Sequence, residues 1–134
     1  MPKVAINVSD KQIQNMLCNA FEGGSNYWIE RTKYDYGTTG LKPKDFSDGG
    51  KMQDPKDYFH PLQIVPITEG CAVLIKQIDE DAWVRLDRAA IEKGCQVMAE
   101  KFPQHFADWM GENDDATTGD VFLQCCVFGE LVYG

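Results

Sequence analysis

The chain has 134 residues, enough for one domain but not for two, and its 43% hydrophobic and 25% charged residues are typical of a globular protein. No apolar run approaches the roughly 18 residues of a membrane span, and residues 1–7 lack signal-peptide features, so we expect a cytoplasmic protein that avoids membranes. The net charge is −8, and all of the excess is in residues 68–134, which have five basic and thirteen acidic side chains. Such a field disfavours direct nucleic-acid binding and favours either a solubilising surface or a basic protein partner.

The first half begins with an alternating stretch, residues 3–8, which predicts a strand. Ser9 and Gln12 then form the pattern of a capping box for a helix that the pair Gly23-Gly24 ends. Residues 25–31 predict a second strand. Residues 33–60 lose periodicity and predict a long loop, of the kind that is usually functional or mobile.

The second half predicts three more strands: an edge strand at 62–67, a buried strand at 71–76 and a third at 82–86 after a turn at 79–81. Asp87 is placed to cap a helix, Pro103 ends that helix or starts the next, and Thr118 is placed to cap a buried helix over 120–133. The whole chain is therefore expected to be one α+β domain, a small antiparallel sheet with three to four helices packed against it.

The final segment is apolar on nearly all sides, so we expect it to need cover from a second copy in a homo-oligomer.

Catalytic and metal-binding patterns are missing from the sequence. The five cysteines offer no CxxC pair, and the two histidines stand apart from other metal ligands. The acidic stretch 112–120 lacks the ligand spacing and sixth-position glycine of a calcium loop. No serine elbow, P-loop or dinucleotide fingerprint occurs. We therefore expect a protein that is not an enzyme and needs no cofactor.

The segment 21–28, FEGGSNYW, is the strongest indication of a binding site. Its glycines allow close backbone approach, its amide can recognise a donor–acceptor edge, and its aromatic rings can stack on a planar ligand. The alternative is that the glycines only end the helix and one aromatic ring faces the core. The predicted ligand-binding residues are Gly24, Asn26, Tyr27, Trp28, Arg31, Tyr34, Tyr36 and His60, and the predicted partner-binding residues are Asp114, Asp115 and Asp120.

Two blocks of the sequence resemble a family of phage and prophage proteins of similar length. They are FEGGSNYW at 21–28, and LDRAAIEKG at 86–94 followed by ENDDATTGDVFLQ at 112–124. The resemblance covers about half of the chain and implies no activity, cofactor or catalytic residue. It implies a small accessory protein made in an infected or lysogenic bacterium, where such proteins often bind or inhibit host machinery, including host defences.

These observations leave three hypotheses. The first is a phage-encoded counter-defence binder that sequesters a small nucleotide-like immune signal; aromatic stacking favours it, and it needs Arg31, Lys33 or other basic residues at the pocket to offset the negative charge. The second is an acidic inhibitor of the anti-CRISPR type that blocks a basic surface of a host defence protein. The third is a structural or assembly accessory protein of the virion.

Overall fold

A computed structural model describes residues 6–46 and 61–134. Within these ranges, five α-helices accompany one three-stranded antiparallel sheet, which confirms the α+β class. The helices are α1 (Asp10–Asn19), α2 (Pro61–Ile64), α3 (Arg88–Lys101), α4 (Pro103–Met110) and α5 (Ala116–Val127), and the strands are β1 (Ile29–Asp35), β2 (Ala72–Gln77) and β3 (Trp83–Leu86). None of the described helices is both long and apolar enough to cross a bilayer.

The sheet has the order β1-β2-β3, and the predicted turn at 79–81 joins β2 and β3 as an antiparallel hairpin. Val73 and Ile75 of β2 are fully buried and point toward the helices, whereas Leu74 and Lys76 alternate to the other face. One face of the sheet therefore packs on the core, and the other, which we call the open face, points away from the described helices.

Helix starts follow the predicted capping chemistry at two positions. Ser9 Oγ accepts the Gln12 N–H at 3.1 Å while Gln12 Oε1 accepts the Ser9 N–H at 2.9 Å, and Asp87 accepts the Ala90 N–H at 2.9 Å. The third prediction was wrong. Asp115, rather than Thr118, caps α5, and Thr118 is the third helical residue that bonds back to it.

Helix α5 passes through the centre of the protein, with every residue from 118 to 126 buried. A helix was predicted here, but it ends at Val127, and residues 128–134 fold back irregularly. Because α1, α3, α4 and the turn after α1, Ala20–Gly24, cover α5 within one chain, its apolar surface no longer argues for a homo-oligomer.

Three predicted strands differ from the structure. Residues 6–8 are irregular and the rest of the predicted first strand lies outside the described residues. Residues 25–28 form a turn, so β1 starts only at Ile29. Residues 62–67 are helical, because Pro61 and Pro66 occupy first-turn positions where a missing N–H costs nothing. The predicted loop 33–60 begins later, after β1, and residues 47–60 lie outside the described part.

Candidate functional site

Trp28, the predicted stacking residue, lies in the core. Its side chain is 0% exposed, and its ring is parallel to that of Tyr133 at a centroid distance of 5.3 Å, with Phe128 also 5.3 Å away. Its Nε1–H donates to Asp120 at 2.8 Å. The assignment of Trp28 to a ligand is corrected, because its ring is enclosed within the protein.

Asp120 organises this part of the core. Its Oδ1 accepts from Ser25 Oγ and from Trp28, both at 2.8 Å, and its Oδ2 accepts from Tyr27 OH at 2.6 Å and Gln124 Nε2 at 3.1 Å. We call these five residues the Asp120 network. Since Asp120 is only 8% exposed and its hydrogen bonds are internal, its assignment to a partner-binding surface is also corrected.

Gln124 extends the Asp120 network to the end of the chain. Its Oε1 accepts the backbone N–H groups of Val132 at 2.8 Å and Tyr133 at 2.9 Å, and Tyr133 OH donates to Gln77 Oε1 at 2.9 Å. The network therefore ties the segment after α1, helix α5, the final residues and strand β2 together. The segment 21–28 and the segment 112–124, which carry the resemblance given above, meet in this network. Ser25, Tyr27 and Trp28 of the first segment donate hydrogen bonds to Asp120 of the second.

Tyr27 lies at the surface above this network. Its side chain is 50% exposed and lines a cleft of about 530 Å³, together with Gly23, Gly24, His105, Thr117 and Leu131 among others. We call this the Tyr27 cleft. Partial burial and the hydrogen bond to Asp120 raise the pKa of Tyr27 to about 12, so its hydroxyl stays protonated and donating.

The other predicted pocket residues do not join Tyr27. Asn26 is exposed beside a separate hollow of about 250 Å³, whose lining includes Cys18 and Glu22. Tyr34 and Tyr36 are half-buried and pack against the core, and their ring centroids are 6.1 Å apart. His60 lies outside the described residues. The predicted ligand residues are thus distributed over several places rather than one pocket.

Arg31 lies on the open face of the sheet. In the strand register, Arg31 and Trp83 flank Lys76 on its two sides, and Lys33 and Arg85 flank Leu74. We call this surface, formed by Arg31, Lys33, Leu74, Lys76, Trp83 and Arg85, the Trp83 face. Arg31 Cζ is 5.4 Å and Lys33 Nζ 4.4 Å from the centroid of the half-buried Trp83 ring.

The four cations of the Trp83 face differ in their partners. Lys76 pairs with Glu30 at 2.6 Å, and Arg85 pairs with Asp35 at 2.8 Å and Asp87 at 3.0 Å. The hydrogen bond from Lys76 lowers the pKa of Glu30, and the hydrogen bond from Arg85 lowers the pKa of Asp35. Arg31 and Lys33, by contrast, make no ion pair with any described residue, and both are exposed.

The predicted partner-binding carboxylates have internal roles as well. Asp114 accepts a hydrogen bond from Asn19 Nδ2 at 2.7 Å, and Asp115 caps α5. The backbone N–H of Thr118 is the main cause of the lowered pKa of Asp115. Across the part of the chain that the structure describes, no cluster of three or more metal-ligating side chains occurs.

Comparisons with protein-family models, with curated proteins and with solved structures find no match.

Sequence reasoning missed Trp83 as a candidate site residue. The signal was present, because alternation along residues 29–35 and 83–86 places Arg31, Lys33, Trp83 and Arg85 on one face once the strands are paired. What the sequence did not indicate was the position of the strands relative to each other, since β1 and β3 are separated by β2.

Proposed function

We propose that this protein is a non-enzymatic binder that sequesters a small nucleotide-like ligand on the Trp83 face. One observation carries the proposal: Arg31 and Lys33, which make no ion pair with any residue that the structure describes, lie 5.4 Å and 4.4 Å from the centroid of the same indole ring. A planar ring beside unneutralised positive charge suits a ligand that combines a heterocycle with a phosphate.

The contact between Lys33 and the indole can exchange for a ligand. An exposed cation–π contact is worth about 0.5–1 kcal/mol. A hydrogen bond to a charged group such as phosphate contributes about 1.5–3 kcal/mol. A phosphate can therefore draw Lys33 away from the ring, which opens the indole for stacking while Arg31 binds the same phosphate.

The charge distribution favours a small ligand over a nucleic-acid strand. The remaining cations of the Trp83 face are neutralised by Glu30, Asp35 and Asp87, and the molecule as a whole carries −8. Two available positive charges suffice for one or two phosphates, whereas a long polyanion would be repelled by the rest of the surface.

The resemblance to phage and prophage proteins suggests the setting for this activity. In our proposal the ligand is an immune signal of the bacterial host, and sequestration alone, without any chemical step, prevents the signal from reaching its receptor. A binder of this kind needs no catalytic group.

The test is a calorimetric titration of the protein with cyclic dinucleotides, cyclic trinucleotides and ADP-ribose derivatives. We expect one class to bind, and we expect Trp83→Ala and Lys33→Gln each to weaken that binding at least about tenfold, or about 1.4 kcal/mol. Lys93→Gln is the matched control, because it removes the same charge from an exposed position on α3. Failure of every compound to bind, or unchanged affinity in Trp83→Ala, would refute the proposal.

A second candidate function is inhibition of a host defence protein through its basic surface. It is favoured by one observation: within the described ranges, none of the seven acidic side chains from Glu92 to Glu130 that lie outside the buried Asp120 network makes an ion pair. Its test is the double charge reversal Glu92→Lys with Glu112→Lys, which leaves the α5 cap intact. Under this hypothesis, binding to an immobilised lysine-rich peptide weakens in the variant and at high salt; equal binding would exclude it.

A further inference from the structure

We infer that the Tyr27 cleft is a second binding site, specific for a guanidinium group of the kind that an arginine side chain of a partner protein carries. This goes beyond the proposed function, because the cleft lies apart from the Trp83 face and carries the opposite charge. It is bounded by the turn after α1, the start of α5 and the final residues of the chain.

The charge of the cleft selects a cation. Asp120 has the one carboxylate side chain among the described lining residues; His105 is the one basic side chain there, and none of them is Lys or Arg. Asp120 makes no ion pair with any described residue; hydrogen bonds alone stabilise its negative charge. Because these four hydrogen bonds fill the acceptor positions of Asp120, a cation in the cleft does not bond to the carboxylate itself. It is attracted by the negative charge across the Tyr27 hydroxyl, in a partly desolvated place where attraction is stronger than at an open surface.

The Tyr27 ring provides the contact surface. It is 50% exposed and makes no ring contact with another described aromatic side chain. Its hydroxyl donates to Asp120 at 2.6 Å, a short bond to an anion that polarises the phenol and increases electron density on the ring. Planar guanidinium groups stack on such rings, and partial desolvation raises the value of the contact toward about 2 kcal/mol.

The shape of the cleft suits an arginine side chain. Its volume is about 530 Å³, and Gly23 has no atom within 4 Å of the position where a Cβ would be, so that side is open. Leu131, which is 40% exposed, offers apolar surface for the methylene stem.

An anion is the obvious alternative ligand, because the first turn of α5 lines the same cleft. The side chain of Asp115 already occupies that helix end, where it accepts the Thr118 N–H at 3.0 Å. A bound anion would face both this carboxylate and Asp120. The cleft therefore selects a cation.

The experiment is a titration of the ¹⁵N-labelled full chain with N-acetyl-arginine amide and with its neutral isostere, N-acetyl-citrulline amide. We expect arginine to shift the amide signals of Gly24, Tyr27 and Thr117, and citrulline to bind at least about tenfold more weakly. A pentapeptide with a central arginine distinguishes the source: equal affinity supports a protein side chain, and loss of binding would overturn that part of the inference.

Variants separate this site from the Trp83 face. Tyr27→Leu should abolish arginine binding and Tyr27→Phe, which keeps the ring but not the polarising bond, should weaken it about two- to fivefold. Trp83→Ala should leave arginine binding unchanged while it weakens nucleotide binding at least about tenfold. Retained binding in a folded Tyr27→Leu protein, or equal affinity for citrulline, would overturn the inference.

Discussion

The carboxylate of Asp120 is stabilised in the interior without a cation. It accepts four hydrogen bonds, and a carboxylate has about four acceptor positions, so its hydrogen-bonding capacity is filled. Each donor would itself need a partner in the interior. The network is therefore stable as a unit and costly when any member is removed.

Removal of the Asp120 side chain should destabilise the fold strongly. Asp120→Ala leaves Ser25 Oγ and Trp28 Nε1, both buried, without acceptors, at a cost of about 1–3 kcal/mol each. We expect the free energy of unfolding to fall by about 3 kcal/mol or more, measured by urea denaturation with tryptophan fluorescence as the probe.

Asp114→Ala is the control for this change, because it removes the same type of side chain from a less buried position with one hydrogen bond, to Asn19. Its expected cost is about 1 kcal/mol. If the free energy of unfolding falls equally in both variants, the Asp120 network does not stabilise the fold more than the single hydrogen bond of Asp114.

Close backbone approach to α5 explains the glycines around it. A Cβ on Gly94 would lie 2.7 Å from the Cα and 2.8 Å from the backbone N of Cys126. A Cβ on Gly119 would lie 2.6 Å from the Cβ of Asn19. Gly24 likewise lies directly against the backbone of Ala116. The glycines of these three sites thus serve packing between elements of this chain.

Gly94→Ala should therefore destabilise the protein although alanine is the better helix former. Helix propensity alone predicts a gain of about 1 kcal/mol. The clash with the α5 backbone forces α3 and α5 apart, for which we expect a net loss of about 1–3 kcal/mol and a lower thermal midpoint by calorimetry. Gly23→Ala is the matched control and should be nearly neutral, since nothing lies within 4 Å of its Cβ position. A Gly94→Ala protein as stable as the wild type would contradict the close packing.

Local patterns predicted the elements whose signals are local. The capping box of α1, the Asp87 cap of α3, the hairpin of β2 and β3, and the start of α4 at Pro103 depend on residues within a few positions of each other. Residues 62–67 were predicted wrongly because a short apolar run fits a strand and a helix equally, and prolines there were read as edge-strand markers. Asp120 was misplaced because its four partners come from 4 to 95 positions away.

At the scale of the whole molecule, charge and burial act in the same direction at high pH. The net charge is already −8 at pH 7, and every further ionisation adds to the repulsion. Burial raises the pKa of Cys95 and Cys125 to about 11 and that of Cys126 well above 9.0. The folded protein therefore keeps protons on these thiols where the unfolded chain releases them.

Stability should consequently fall as the pH rises above 9. Below about pH 8 the thiols are protonated in both states and do not contribute a slope; from there to about 11 the unfolded state, whose thiols have the ordinary pKa of 9.0, binds fewer protons, so the free energy of unfolding decreases with pH. We expect the urea midpoint to be constant between about pH 7 and 8 and clearly lower at about pH 10.5. The measurement is repeated at about 20 and 500 mM NaCl, because salt screens surface repulsion but not the desolvation of a buried thiolate. If the urea midpoint still decreases with pH at high salt, and decreases less in Cys95→Ala, the effect belongs to the thiols between α3 and α5. If the midpoint does not change with pH, or if salt abolishes the change, these thiols do not titrate as the structure requires.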